Sequence, residues 1–231
     1  MDLGPRASPF SPYGPWTTIA LAVAVDFGAS VAAWFVVTAF GGAVNADKLD
    51  DAAFTYSILA DLITIAAILK LTSLRAPGQV SSYLALRPFR REAALHWFGI
   101  AAALMLSEGM IQSIIRGIFD MPYETNAFDT VSPGLSMVVA VVLVGPIAEE
   151  VMFRGFVMEG LIPTRVGQSG ALVLSTLAWA LLHTQYDAVS TIMVFALGIL
   201  FGLARLASGS LLLSIVLHMV WNGFTVLFRL G

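Results

Sequence analysis

The stretch LSMVVAVVLVGPIAEEVMFRGFVM, residues 135–158, decides how this chain folds. It is long and apolar enough to be a lipid-spanning helix, yet it carries Glu149, Glu150 and Arg154 in its second half. An ionisable group at mid-bilayer costs roughly 2.5–3.5 kcal/mol on insertion scales, so a membrane chain keeps such groups where they pair with one another or do chemistry. Glu150 and Arg154 stand four apart on one helical face with the acid first, the favourable order for a pair. Glu149 is rotated about 100° from Glu150 on the helical wheel. Arg154 therefore neutralises Glu150 and leaves Glu149 to face something else. Pro146, just before the carboxylates, removes one helical hydrogen bond and predicts a kink.

The rest of the chain agrees with a membrane setting. Of 231 residues, 58% are hydrophobic and 12% charged, and the mean hydropathy is +0.85. Soluble domains are nearer half apolar and a quarter charged, and could not bury this excess. The alternating pattern of a membrane β-barrel is absent. The class predicted is all-α, a polytopic transmembrane helix bundle with about seven spans, near 16–44, 52–74, 93–115, 133–160, 168–184, 188–207 and 210–230. The fourth is long and the fifth short, so both tilt or bend. Residues 1–15, rich in proline and glycine, read as a disordered tail, and 16–231 as a single transmembrane domain. The first apolar run is too long for a signal-peptide core and reads as a retained anchor.

A net charge of −3 and the absence of any basic run give no sign of a nucleic-acid partner; with no cysteine, disulfides and thiolate metal sites are excluded. Arginine and lysine fall mainly in loops on the N-terminal side, above all in 75–92, which predicts a cytoplasmic N-terminus. Tyr83-Leu84-Ala85-Leu86 in that loop reads as a short helix in the membrane interface. Gly198 and Gly202 form a GxxxG that permits close packing within the bundle.

Further polar residues fall in the later spans. His183 ends span five. His218 and Asn222 lie four apart on one face of span seven. A lone histidine in an apolar helix is ordinarily satisfied by packing. Counted at about 1.5 Å per residue, however, Glu149, His183, His218 and Asn222 lie at depths of about 16, 22, 12 and 18 Å. They share one layer, so three spans can pool a carboxylate, two imidazoles and a carboxamide. Asp26, Asp61 and Glu108 stand alone in spans one to three. Lys70 can snorkel to an end, and His96 beside Trp97 reads as interfacial.

Glu149-Glu150-x-x-x-Arg154, Trp179-x-x-x-His183 and His218-x-x-x-Asn222 together resemble the CPBP family of CAAX proteases and bacteriocin-processing (Abi) intramembrane peptidases, which includes the type II CAAX prenyl endopeptidases. The likeness covers residues 133–230. Its second motif usually opens with phenylalanine, where this chain has Trp179, a change expected to adjust packing. The resemblance implies an intramembrane endopeptidase, with Glu149 and His183 activating water and His218 and Asn222 stabilising the oxyanion. Glu150 and Arg154 would support them. It implies a glutamate-activated water without obligatory metal at least as readily as zinc held by Glu149, His183 and His218, a donor set that zinc accepts. The implied partners are the bilayer and a peptide or lipidated protein, cut near the cytoplasmic side. Competing readings are a proton- or ion-coupled transporter, a non-catalytic immunity or scaffold protein, and a rhomboid-like serine protease using Ser169 of Gly167-Gln168-Ser169-Gly170. An aspartyl protease is excluded because Asp187 has no GxGD partner.

Overall fold

The computed structural model of the protein describes residues 13–40, 51–121 and 134–230. Its helices are α1 (Pro15–Ala39), α2 (Asp51–Arg75), α3 (Val80–Tyr83), α4 (Arg91–Phe119), α5 (Leu135–Leu161), α6 (Gly167–Leu182), α7 (Ala188–Ser208) and α8 (Leu211–Leu230). No strand occurs among the described residues. Helices α1, α2, α4, α5 and α7 are long and apolar enough to cross a membrane, and α6 and α8 are shorter apolar helices. These seven match the seven spans read from the sequence, and the chain is an all-α, multi-pass integral membrane protein. The tail at 1–12, and the part of the first span beyond residue 40, lie outside the described residues. Tyr13 is docked, its hydroxyl donating to the Leu71 carbonyl at 3.1 Å.

Helices α5 and α7 form the centre, with α1, α2 and α4 towards the outside. Over its most apolar stretch α7 is 56% buried, against 6% for α4. The outer helices turn large apolar side chains outward, among them Trp16, Phe27 and Leu106, as contact with hydrocarbon requires.

Helix α5 is irregular for a reason its sequence contains. It passes through wide π-helical turns at Val139–Val144 and Glu150–Val157. The Gly145 N–H bonds the Ala140 carbonyl, five residues back. A Cβ on Gly145 would come within 2.8 Å of that oxygen, so glycine admits the wide turn. Pro146 follows at once. Its missing N–H and its ring, which crowds the preceding turn of an α-helix, are accommodated by this widening.

The loop at 75–92 corrects one expectation. Val80–Tyr83 is helical, but Tyr83, Leu84 and Ala85 are buried in the bundle rather than laid in the interface. Tyr83 stacks on Phe156 with ring centroids 6.4 Å apart. Leu84 fits beside Gly155, where a Cβ would meet its Cδ2 at 3.2 Å. With no side chain at Gly155, the loop can enter, and burying three apolar residues against α2, α5 and α8 outweighs leaving them in the headgroup layer.

The two glycines of α7 serve internal packing, as expected. A Cβ on Gly198 would lie 2.6 Å from Thr176, 2.7 Å from Arg154 and 2.8 Å from Trp179; one on Gly202 would lie 2.2 Å from Leu172. Gly198→Ala is therefore expected to destabilise by about 1–3 kcal/mol, read as a lower thermal unfolding midpoint in lipid nanodiscs. Gly99→Ala, where a Cβ meets open space, should cause no such loss; equal effects would contradict the close contact.

Candidate active site

The polar centre is built on Glu150 and Arg154, whose side chains have no exposed surface. Arg154 Nη1 donates to Glu150 Oε1 at 2.9 Å, and its Nη2 donates to the Gly198 carbonyl at 3.2 Å. The guanidinium lies 4.4 Å from the Trp179 ring centroid, a cation–π contact that replaces lost hydration. The pairing expected from helical spacing is present. Glu150 does more than that expectation held, accepting also from the Ser214 hydroxyl and from His218 Nδ1 at 3.1 Å. The sequence reading missed Ser214. Its signal was available: residues 214, 218 and 222 form one i, i+4 stripe on α8.

Glu149 points differently, with a third of its side chain exposed. Its Oε2 accepts from Trp179 Nε1 at 2.6 Å and lies 3.8 Å from His218 Nε2. The indole at position 179 thus does more than adjust packing, since a phenylalanine has no donor to give. His183 caps the C-terminus of α6, its Nδ1 2.9 Å from the Trp179 carbonyl. With Nδ1–H donated there, the neutral ring keeps its lone pair on Nε2. Asn222 Nδ2 donates to the Val141 carbonyl at 2.9 Å.

Glu149, His183, His218 and Asn222 all line one cavity of about 280 Å³, so the four residues that the sequence reading placed in one layer are brought together. Glu108 and Arg116 of α4 line it too, which moves Glu108 from a lone acid to a wall of the site. Gln112 Nε2 donates to Glu108 at 3.1 Å. Arg116 pairs with Asp187 at 2.6 Å, and Asp187 caps α7 by accepting from the Ser190 N–H. These contacts lie where α4 ends and α7 begins. In a bundle of alternating spans, that is the end opposite the N-terminus.

The remaining candidates lie elsewhere. Asp26 lines a separate, mainly apolar cavity of about 850 Å³. Asp61 sits beside Gly145, its Oδ2 3.6 Å from where a Cβ would be. Lys70 and His96 are exposed, His96 edge-on to Trp97. Ser169 is exposed in the first turn of α6, 14 residues or about 21 Å along the helix from His183. It does not line the cavity with His218, which removes the structural basis for a Ser169 nucleophile. Among the described residues no three His, Cys, Asp or Glu side chains are grouped to hold a metal. Glu149, His183 and His218 share the cavity without forming a ligand set.

Residues 131–224 match the family described as Type II CAAX prenyl endopeptidase Rce1-like. The membrane-embedded CAAX protease MroQ of Staphylococcus aureus (strain USA300) is 32% identical over 93 residues, which are 38% of this chain and 37% of that relative. The chain thus spans little more than a third of the length of the curated relative it matches. No solved structure matches it. The matched residues run from just before α5 into α8 and contain the Glu150–Arg154 centre and the four cavity residues named above. This C-terminal stretch is thus similar to the Rce1-like type II CAAX prenyl endopeptidases and to a membrane-embedded CAAX protease.

Proposed function

We propose that the chain is an intramembrane endopeptidase that hydrolyses a peptide bond with a water activated by Glu149 and His183. One observation carries this reading: Glu149, His183, His218 and Asn222 line a single cavity, with the Glu149 carboxylate held by Trp179 and facing His218. A water there would give its proton to Glu149, while the unprotonated Nε2 of His183 accepts its second hydrogen. The resulting hydroxide adds to the scissile carbonyl. The oxyanion takes donors from the Asn222 amide and from His218, which is held against Glu150 through Nδ1. Glu149 then returns its proton to the leaving amine. No step passes through a metal. The substrate class is a peptide or lipidated protein segment entering from the membrane.

The expectations of an inside N-terminus and of cleavage near the cytoplasmic side pull apart here, because the cavity lies at the end opposite the N-terminus. The charge argument is the stronger. Arg75, Arg87, Arg90, Arg91 and Arg165 are exposed on the N-terminal side. Arg116, on the other side, and Arg205 are both buried in ion pairs with Asp187 and Glu159. We therefore place the N-terminus in the cytoplasm and the cavity towards the outer face.

Purified protein in nanodiscs should cleave members of a leader-peptide and lipidated-peptide library. Glu149→Gln is expected to lower kcat about 10²–10⁴-fold, Asn222→Ala about 10²–10³-fold, and a chelator to change nothing. Full activity in Glu149→Gln, or loss with chelator restored by zinc, would overturn the mechanism. Because the chain has no cysteine, single cysteines can report orientation. An impermeant maleimide added to intact cells should label Tyr186→Cys and spare Arg90→Cys; the reverse pattern would invert the topology.

A further inference from the structure

The wide turn in α5 leaves one carbonyl without a backbone donor. In an α-helix the Val141 oxygen would accept from the Gly145 N–H, but that group is committed to Ala140. In the π register it would accept from residue 146, and Pro146 has no N–H to give. Its partner is instead Asn222 Nδ2, at 2.9 Å. Helix α8 runs close to α5 here: Val142 Cγ1 lies 3.4 Å from where a Cβ on Gly223 would be, a contact distance.

We propose that Pro146 is a positioning residue: by withholding a backbone donor from the Val141 carbonyl it reserves that oxygen for Asn222 and so fixes which way the carboxamide faces in the cavity. A carboxamide can flip, exchanging its donor and acceptor ends. Anchored through one N–H, its nitrogen faces α5 with the second N–H left for a ligand. Without the anchor, the amide has no fixed orientation, and an oxyanion meets an oxygen as readily as an N–H. The consequence for catalysis rests on the peptidase reading above; the anchoring does not.

Pro146→Ala supplies the missing N–H and lets the backbone capture the Val141 carbonyl. The chain has three asparagines, Asn45, Asn126 and Asn222, so the Asn222 side-chain amide signal of asparagine-labelled protein can be assigned by its loss in Asn222→Ala. Pro146→Ala is expected to shift that signal and to lower kcat about 10–100-fold, with KM within about twofold. Its unfolding midpoint should equal or exceed the parent's, because alanine favours a helix interior. In an Asn222→Ala background the same change should cost no further activity, since both act on one group. An unmoved amide signal, or an equal loss of kcat in both backgrounds, would overturn the proposal. Should Pro146→Ala not fold, the ¹³C carbonyl shift of Val141 decides it: Asn222→Ala must move that shift, and an unmoved one contradicts the anchor. Full activity of Glu149→Gln would refute the peptidase reading and leave the amide and carbonyl measurements to judge the anchor alone.

Discussion

The centre of this structure depends on a charge pair that neither water nor lipid can reach. Glu150 and Arg154 would each be very costly alone in a low-dielectric interior, and an ion pair there is tolerated only if its remaining donors and lone pairs are also satisfied. That requirement organises the helices around it. Arg154 claims the Gly198 carbonyl and the face of Trp179, which draws α7 and α6 against α5. Glu150 claims Ser214 and His218, which fixes the rotation of α8. Gly198 has no side chain because the guanidinium occupies the space one would need. The pair is thus a constraint on packing before it is any contribution to stability.

The site follows from how these contacts spend the polar atoms. His218 gives one nitrogen to Glu150 and turns the other towards Glu149. Trp179 holds the Glu149 carboxylate from the opposite helix and offers its own carbonyl to His183. Glu149 and Glu150 are neighbours in sequence with contrasting surroundings: one is enclosed by donors, the other opens on a cavity. Separation of this kind, between a group that holds structure and a group free to react, is what a water-activating site requires.

Much of this was legible in the sequence. The i, i+4 spacing of Glu150 and Arg154 gave their pairing, and depth counting put Glu149, His183, His218 and Asn222 in one layer, where the structure finds a shared cavity. Other parts were not legible, for physical reasons. Tyr83 and Leu84 look interfacial in isolation, and only the space left by Gly155 shows that they can enter the core. Glu108 could not be assigned because nothing in its own span says which helix it faces; its place in the cavity wall depends on how α4 leans on α7. Ser214 was readable as the start of the stripe 214, 218, 222 but carries no charge to draw notice. Pro146 predicted a disturbed helix, while the form of the disturbance, a wide turn rather than a simple lost bond, needed Gly145 beside it.

The central claim is that two adjacent glutamates do different work, and the most direct measurement is the unfolding midpoint of Glu149→Gln beside that of Glu150→Gln, both in the same nanodiscs. Glu150→Gln leaves Arg154 charged and enclosed without its counter-ion, so its midpoint should fall steeply, in keeping with about 3–5 kcal/mol for a broken buried pair. Glu149→Gln keeps an acceptor for the Trp179 indole and stays partly exposed, so its midpoint should hold near the parent's. Equal midpoints, or a fall confined to Glu149→Gln, would contradict the account.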